Sequence, residues 1–408
     1  MKLKEKKVVV KELSDTEICD EIAQKKSEGV NIEVITPIIA GVIFVAILLI
    51  AIVLQSLGGH STHINVVIAI GVIIAALGFD FINGMNDSSN SVATVISTHV
   101  MSPIAAIIMA AIFNIIGAMV FEGVAKNIAT KMVSQTAIDG GFVTTPLMIF
   151  CGLIGAVAWS YFMSIIGIPI SMSHCLIGGI VGVLFMVGGK EILNIDYFMS
   201  IIITMFTAPL AGFVVGLFVM VLVMWIFYKA NSKKVGPHFR FWQIISAAYM
   251  SFMHGANDAQ KAMGIITMAL VAAGMHVPTH MVNGVEEVGI PVWVKISCAV
   301  IIGLGTAIGG QRVIKTLGTK IFKINPVHGC VIQTVSAGII HYVTHIGIPL
   351  STTHVLTASI LGVGSSKRFS AVRWGVAGNI VFAWIFTIPT CGIAAAVLYW
   401  LVKFTGLE

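Results

Sequence analysis

A chain of 408 residues that is 57% hydrophobic and only 10% charged, with a mean hydropathy of +0.98, cannot bury its apolar side chains in one soluble core; globular domains carry about 25% charged residues. The net charge of +6 is read as cytoplasmic loop lysines and arginines and not as a nucleic-acid surface. Apolar runs such as Ile35 to Leu57 and Phe198 to Tyr228 exceed the roughly 20 residues a spanning helix needs, whereas barrels show short alternating segments. The expected fold class is therefore an all-α integral membrane protein. Its cysteines, Cys19, Cys151, Cys175, Cys298, Cys330 and Cys391, have no paired or metal-ligand spacing, so neither a disulfide framework nor a metal or other cofactor is expected.

In chain order, residues 1–33 form a polar tail, and residues 34–58 an extra transmembrane helix that starts too late and runs too long for a secretory signal peptide. The lysines of the tail place the N-terminus in the cytoplasm. Ile64 to about Phe81 opens the next span, runs into Gly84-Met85-Asn86-Asp87-Ser88-Ser89-Asn90 and resumes as Ser91 to His99, with Gly78 and Gly84 loosening the backbone. That pattern predicts a broken helix, which is tolerated at membrane depth where it lines a site. Met101 to Phe121 spans next and leads to a polar connector with Glu122, Lys126, Lys131 and Asp139. A helix over about Thr145 to Ile166 then meets Gly167-Ile168-Pro169-Ile170-Ser171-Met172-Ser173-His174, and Cys175 to Gly188 is too short and glycine-rich for a separate full span. A re-entrant helical hairpin is expected there, since proline extends the residue before it and the serines that follow cap a half-helix. After a long span, residues 229–240 form a basic cytoplasmic loop with Lys229, Lys233 and Lys234.

The second half replays the first. A helix from about Phe241 enters Gly255-Ala256-Asn257-Asp258-Ala259-Gln260-Lys261, and later Gly347-Ile348-Pro349-Leu350-Ser351-Thr352-Thr353-His354 matches Gly167 to His174. The two motif pairs are 171 and 180 residues apart (258 minus 87, 354 minus 174). Residues 64–228 and 241–404 thus read as two repeats, and paired interrupted segments are the sequence signature of a secondary transporter's midplane site.

The paired Gly-x-Asn-Asp motifs and the paired Gly-Ile-Pro-x-Ser-x-[Ser/Thr]-His hairpins resemble the PiT family of inorganic phosphate transporters over roughly residues 64 to 404. The resemblance implies an inverted-repeat secondary transporter, and no enzyme, that takes up phosphate with a coupling cation and works as a homodimer in the lipid bilayer of the cell inner (plasma) membrane. The Asn-Asp helices and the hairpin tips would meet around the substrate. The first 60 residues lie outside the resemblance.

The residues support this reading on physical grounds. A tetrahedral oxyanion needs hydrogen-bond donors and a positive field, and a half-helix N-terminus supplies free N–H groups with about half a unit of positive charge. Ser171, Ser173, Ser351, Thr352 and Thr353 add hydroxyls, and with Asp87 and Asp258 they are the candidate substrate-binding residues. Capping or helix–helix glue is the alternative for any one of them; the duplication favours binding. His174 and His354 are a candidate proton relay or, alternatively, braces of the hairpin turns. Asp87 and Asp258 can ligate a hard cation or take up a proton, and with Asn86, Asn90, Asn257 and Lys261 they form the candidate cation-coupling set. His254 has no counterpart, since Asn83 stands there in the first half, and is read as structural; Asp80 also lacks a counterpart and is assigned a local pairing.

The family motif commonly reads Gly-Ala-Asn-Asp-Val-Ala-Asn. Here Lys261 replaces the last Asn of the second copy, and its ammonium can stand in for a free cation beside Asp258. Gln260-Lys261 is similar to the bacterial, proton-coupled branch of the family, so a proton is the expected driving ion, with sodium the alternative. Sulfate on the same fold is a rival cargo, disfavoured because phosphate can donate a hydrogen bond to a carboxylate and sulfate cannot. Two membrane aspartates also admit an intramembrane aspartyl protease, but that needs neither the asparagines nor the hairpins. No phosphate-binding loop of a hydrolytic pump is present. The expected protein is an alternating-access importer of inorganic phosphate, free or as a metal-phosphate complex.

Overall fold

The computed structural model describes residues 61–166, 170–282, 285–308, 318 and 321–405; the tail at 1–33, the extra helix at 34–58 and Gly167 to Pro169 of the first hairpin lie outside them. The described chain is almost entirely helical. Its elements are α1 (Ser61–Ser97), α2 (Pro103–Ala118), α3 (Gly123–Lys131), α4 (Gln135–Asp139), α5 (Pro146–Ile166), α6 (Met172–Gly188), α7 (Ile195–Ile226), α8 (Ser232–Ala272), α9 (Val292–Ile308), α10 (Pro326–His345), α11 (Thr352–Ser365) and α12 (Trp374–Lys403). One small departure from an all-α fold is an antiparallel hairpin of β1 (Thr279–Val282) and β2 (Val285–Val288), which flanks the Asn283-Gly284 dipeptide.

Helix starts follow local chemistry. Ser102 caps α2 with Pro103 in its first turn, and Asn325 forms a reciprocal capping box with His328 ahead of α10. Among the described residues, five helices are long and apolar enough to cross a membrane, six when the bent pair α2–α3 counts as one. Along α2, Ile104, Ile108, Ile112 and Ile116 recur every fourth residue on an exposed face, while Ala106, Ala110, Asn114 and Gly117 are buried on the other. An apolar outside with a small-residue inside is the pattern of a helix set between lipid and bundle.

Neither motif helix is broken, contrary to the expectation from sequence. α1 runs 37 residues and α8 runs 41 residues straight through their Asn-Asp motifs. Of the two glycines that read as breakers, Gly78 has no neighbour where a Cβ would stand, and Gly84, like Gly255 of the second motif, serves close packing instead. A Cβ on Gly84 would overlap the Ile302 carbonyl of α9, and one on Gly255 would overlap the Asn114 carbonyl of α2. The break lies elsewhere, between α2 and α3, which meet at 59° within the predicted span Met101 to Phe121 and its connector. At that bend Glu122 binds Lys295 of α9 and lies 3.7 Å from Lys126.

The packing is reciprocal between the two halves. α1 packs on α9 and α8 on α2, while α6 packs on α12 and α11 on α7. Arg240 near the start of α8 donates to His99 O just past the end of α1 (2.7 Å), and Thr98 donates to Gln243 Oε1 (3.1 Å). The two motif helices therefore run antiparallel.

The expected hairpins are α5–α6 and α10–α11. Gly329 at the base of α10 lies against Gln243 near the start of α8, and Thr344 at its top meets Asn257 midway along α8. The first hairpin is based at the opposite end. α3 follows α8 from Gln260 past Gly264, and just beyond it Ser134 and Met132 bond Ile192 and Asn194, which follow α6. The hairpins thus come from opposite ends of α8 and touch at their tips, where Ser173 Oγ donates to Leu350 O at 2.6 Å.

Candidate functional site

On α1, Asp87 and Asn90 sit three residues apart and share a face. Thr353 Oγ1 donates to Asp87 Oδ1 (2.8 Å) and Thr352 Oγ1 lies 3.4 Å from Asp87 Oδ2. Asn90 Nδ2 in turn donates to both hydroxyls, at 3.2 and 3.0 Å. The first Asn-Asp motif is therefore wired to the tip of the second hairpin, 262 to 266 residues away in the chain. Asn86 is buried beside them.

On α8, Lys261 Nζ donates to Asp258 Oδ1 at 2.7 Å, and each side chain is only 1% exposed. Asn257 holds one amide atom 2.9 Å from Thr344 Oγ1 and the other 3.3 Å from both Leu350 O and Asp258 Oδ1. Two acceptors call for the NH2 on that side, so the Asn257 nitrogen donates to them and its oxygen accepts from Thr344. Gln260 Oε1 accepts from the first N–H groups of α3, Val124 (2.8 Å) and Ala125 (3.1 Å), which ties the bend to the motif.

His254 makes the structural bond expected of it and also lies beside this half of the site. Its Nδ1 lies 2.9 Å from Asn114 Oδ1 and its Nε2 lies 3.6 Å from Asp258 Oδ2. Thr306 Oγ1 donates to Ile302 O and so accepts from Asn114 Nδ2 (2.7 Å), which turns the amide oxygen of Asn114 toward the imidazole. The Nδ1 of His254 therefore carries the proton, and in the neutral ring Nε2 presents a lone pair to Asp258. One ligand atom each from Asp87, His254 and Asp258 lies within 4.8 Å of the others, a set of two oxygens and one nitrogen that suits a cation. The signal in the sequence was spacing: His254 precedes Asp258 by four residues, one turn on the same face. Asn114, Thr344 and Leu350 carried no such signal.

At the hairpin tips, Ser171 Oγ accepts from His174 N (3.1 Å) and Ser351 Oγ accepts from His354 N (3.2 Å). Both serines are N-caps, so each oxygen has one lone pair committed to its helix and the hydroxyl hydrogen remains to donate. Thr352, Thr353 and Ser173 stand in the first turns they open. The rings of His174 and His354 lie 4.4 Å apart behind the tips, with His354 stacked on Trp384 at 3.6 Å. Asp80 is 0% exposed, and neither its oxygens nor the amide atoms of Asn83 have a hydrogen-bond partner among the described residues, so the expected local pairing is not made there.

Two helix N-termini, two carboxylates and one buried ammonium converge in this arrangement. Comparison with known proteins gives it a family. The profile of the Phosphate transporter family matches residues 83–395. A Bacillus subtilis protein named "Probable low-affinity inorganic phosphate transporter" is 42% identical over 340 residues, covering 83% of this chain and 98% of that protein. The chain belongs to the phosphate transporter family. A Rhizobium meliloti protein of the same name is 42% identical, with 81% and 95% covered, and one from Mycobacterium leprae is 39% identical, with 84% and 80% covered. The fold matches a solved structure titled "The sodium-dependent phosphate transporter" with a TM-score of 0.73 at 24% identity, over 83% of this chain and 99% of that one.

This transporter is thus a multi-pass membrane protein with phosphate as substrate, and not an enzyme. Membership sets aside the protease reading of Asp87 and Asp258. With their ordinary charges, Asp87, Asp258 and Lys261 leave the buried site one negative charge in excess.

Proposed function

We propose that this transporter is a secondary active symporter that imports inorganic phosphate with protons across the cell inner membrane by alternating access. The observation that carries the reading is the charge of the site: two buried carboxylates against one ammonium. A phosphate dianion brought into a water-poor, net negative site is repelled unless a cation enters with it. Coupling is then a condition of binding. The hydroxyl hydrogens of Ser171 and Ser351 offer donors to the phosphate oxygens, those of Thr352, Thr353 and Ser173 do so by turning away from Asp87 and the Leu350 carbonyl, and the first turns of α6 and α11 add backbone N–H groups and their dipoles. Asp87 and Asp258 accept the hydrogen bond of a protonated phosphate. Asn86, Asn90, Asn257 and Lys261 hold the carboxylates in place and tune the cation step. His174 and His354 are the relay behind the tips.

Residues 64–228 and 241–404 act as two inverted repeats, supported by the antiparallel motif helices and the reciprocal packing, with the basic segment 229–240 on the cytoplasmic side; it is a loop only to Asn231, since α8 already begins at Ser232. Transport rocks one repeat against the other around the tips. We assign a homodimer as the working unit. Proton coupling is favoured over sodium because Lys261 already supplies a cation to Asp258. A second reading is co-transport of a metal-phosphate complex, favoured by the grouping of Asp87, His254 and Asp258.

The test is uptake of labelled phosphate into liposomes holding the purified protein, with pH and sodium gradients imposed separately. Accumulation driven by a pH gradient alone is expected. Accumulation with sodium alone refutes the coupling ion, and transport of sulfate in preference to phosphate refutes the cargo. Stimulation by Mg²⁺ or Mn²⁺ would favour the metal complex.

A further inference from the structure

Asp80 is the one motif-helix carboxylate that the transport site does not use. It lies seven residues, two helical turns, before Asp87, and Asn83 stands between them. Four polar atoms there, both oxygens of Asp80 and both amide atoms of Asn83, are buried without a hydrogen-bond partner among the described residues. Buried polar groups are nearly always satisfied, and an isolated ionised carboxylate is among the costliest groups to bury. Four orphans on neighbouring turns mark a place built for something that comes and goes.

We propose that Asp80 is the group that binds and releases the coupling proton, resting on the proton-symport reading above. A proton needs no void, removes the buried charge and turns one carboxyl oxygen into a donor, for which the orphan Asn83 Oδ1, three residues on and on the same helix face, becomes the acceptor once the two side chains turn toward each other. The step is simple protonation: a proton from water on one side makes the carboxylic acid, and its release to water on the other side restores the carboxylate. The titratable groups in electrostatic reach are Asp258 and Lys261 on α8 and Cys298 on α9. α2 has no titratable residue, α5 has Cys151 and Tyr161, and the polar contacts of α10 and α11 with α1 lie at Asp87 to Ser91, beyond this turn.

Lys261 links this place to the transport site. With Asp80 protonated, its ammonium belongs to Asp258 alone, as the 2.7 Å contact has it. When Asp80 gives up its proton, the new carboxylate competes for that ammonium, loosens it from Asp258 and makes the phosphate site more negative. Proton loss thereby expels the anion, and proton gain readmits it.

The experiment compares wild type with Asp80→Asn in proteoliposomes. Accumulation of phosphate driven by a pH gradient is expected to fall at least about tenfold, while exchange of internal for external phosphate without a gradient stays within about twofold. Unchanged pH-driven accumulation overturns the proposal, and so does equal loss of both activities in a folded variant. Should Asp80→Asn not fold, infrared difference spectra of the wild type between acid and alkaline pH carry the test: a carboxylic acid band that shifts in Asp80→Glu and persists in Asp87→Asn supports it, and a band that is lost in Asp87→Asn overturns it. Wild type that fails to accumulate phosphate under a pH gradient would break the symport reading itself, whereas accumulation by Asp80→Asn breaks only this inference.

Discussion

The two copies of the Asn-Asp motif hold their aspartates in different ways. Asp87 is held by neutral donors, the hydroxyls of Thr352 and Thr353, which Asn90 braces from behind. Asp258 is held by a charge, Lys261, with His254 and Asn257 at its sides. The first carboxylate is joined to a hairpin tip and the second to its own helix. The two copies therefore share a sequence pattern while their electrostatics differ, and we read the Asp87 half as the part that senses tip position and the Asp258 half as the part that sets charge.

The largest test of that difference is removal of each carboxylate. Asp87→Asn and Asp258→Asn are each expected to lower phosphate uptake at least about a hundredfold, but their stabilities should separate. Asp258→Asn strands a buried ammonium and should cost about 3–5 kcal/mol, whereas Asp87→Asn keeps an acceptor for the threonines and should cost about 1 kcal/mol. Equal thermal shifts for the two variants in detergent would erase the contrast.

Next comes Lys261→Asn, which makes the second copy resemble the first. We expect pH-driven uptake to fall about tenfold and a dependence on sodium to emerge; unchanged rate and ion dependence would remove Lys261 from the coupling step. Thr353→Ala should raise the KM for phosphate about tenfold with a smaller change in the maximal rate, since a charge-assisted hydrogen bond is lost at the tip. A drop in maximal rate at constant KM would instead place Thr353 in the motion. The smallest effect belongs to Ser171→Ala, which removes a cap together with one donor to phosphate and should cost about 1 kcal/mol of stability with a rise in KM of about threefold; an unchanged KM would leave Ser171 as a cap alone.

Much of this was readable in the sequence. Hydropathy gave the membrane class, and the repeated Pro-x-Ser pattern located both hairpins because proline and N-cap chemistry act locally. The continuity of α1 and α8 was not readable, because a glycine that permits close packing and a glycine that breaks a helix look alike until the neighbour is known. Gly84 and Gly255 both face carbonyls of helices more than a hundred residues away. The true bend at Met119 to Glu122 was masked by an apolar run that continued to Phe121. The β-hairpin carried an Asn-Gly signal that the hydropathy reading passed over. His254 was missed because the comparison of copies looked for symmetry, and its chemistry lies where the copies differ.

Those two glycines also have a mechanical meaning. With bare backbone pressed on backbone, no side chain stands between α1 and α9 or between α8 and α2 at these points, so each contact serves the rocking of the two repeats as a close pivot. The joint between the hairpins is, by contrast, slender: among their described tip residues it is drawn together by the Ser173 hydroxyl on the Leu350 carbonyl. A machine with close pivots and a slender joint yields at the joint, and a single hydrogen bond there is small enough for one phosphate to make or break.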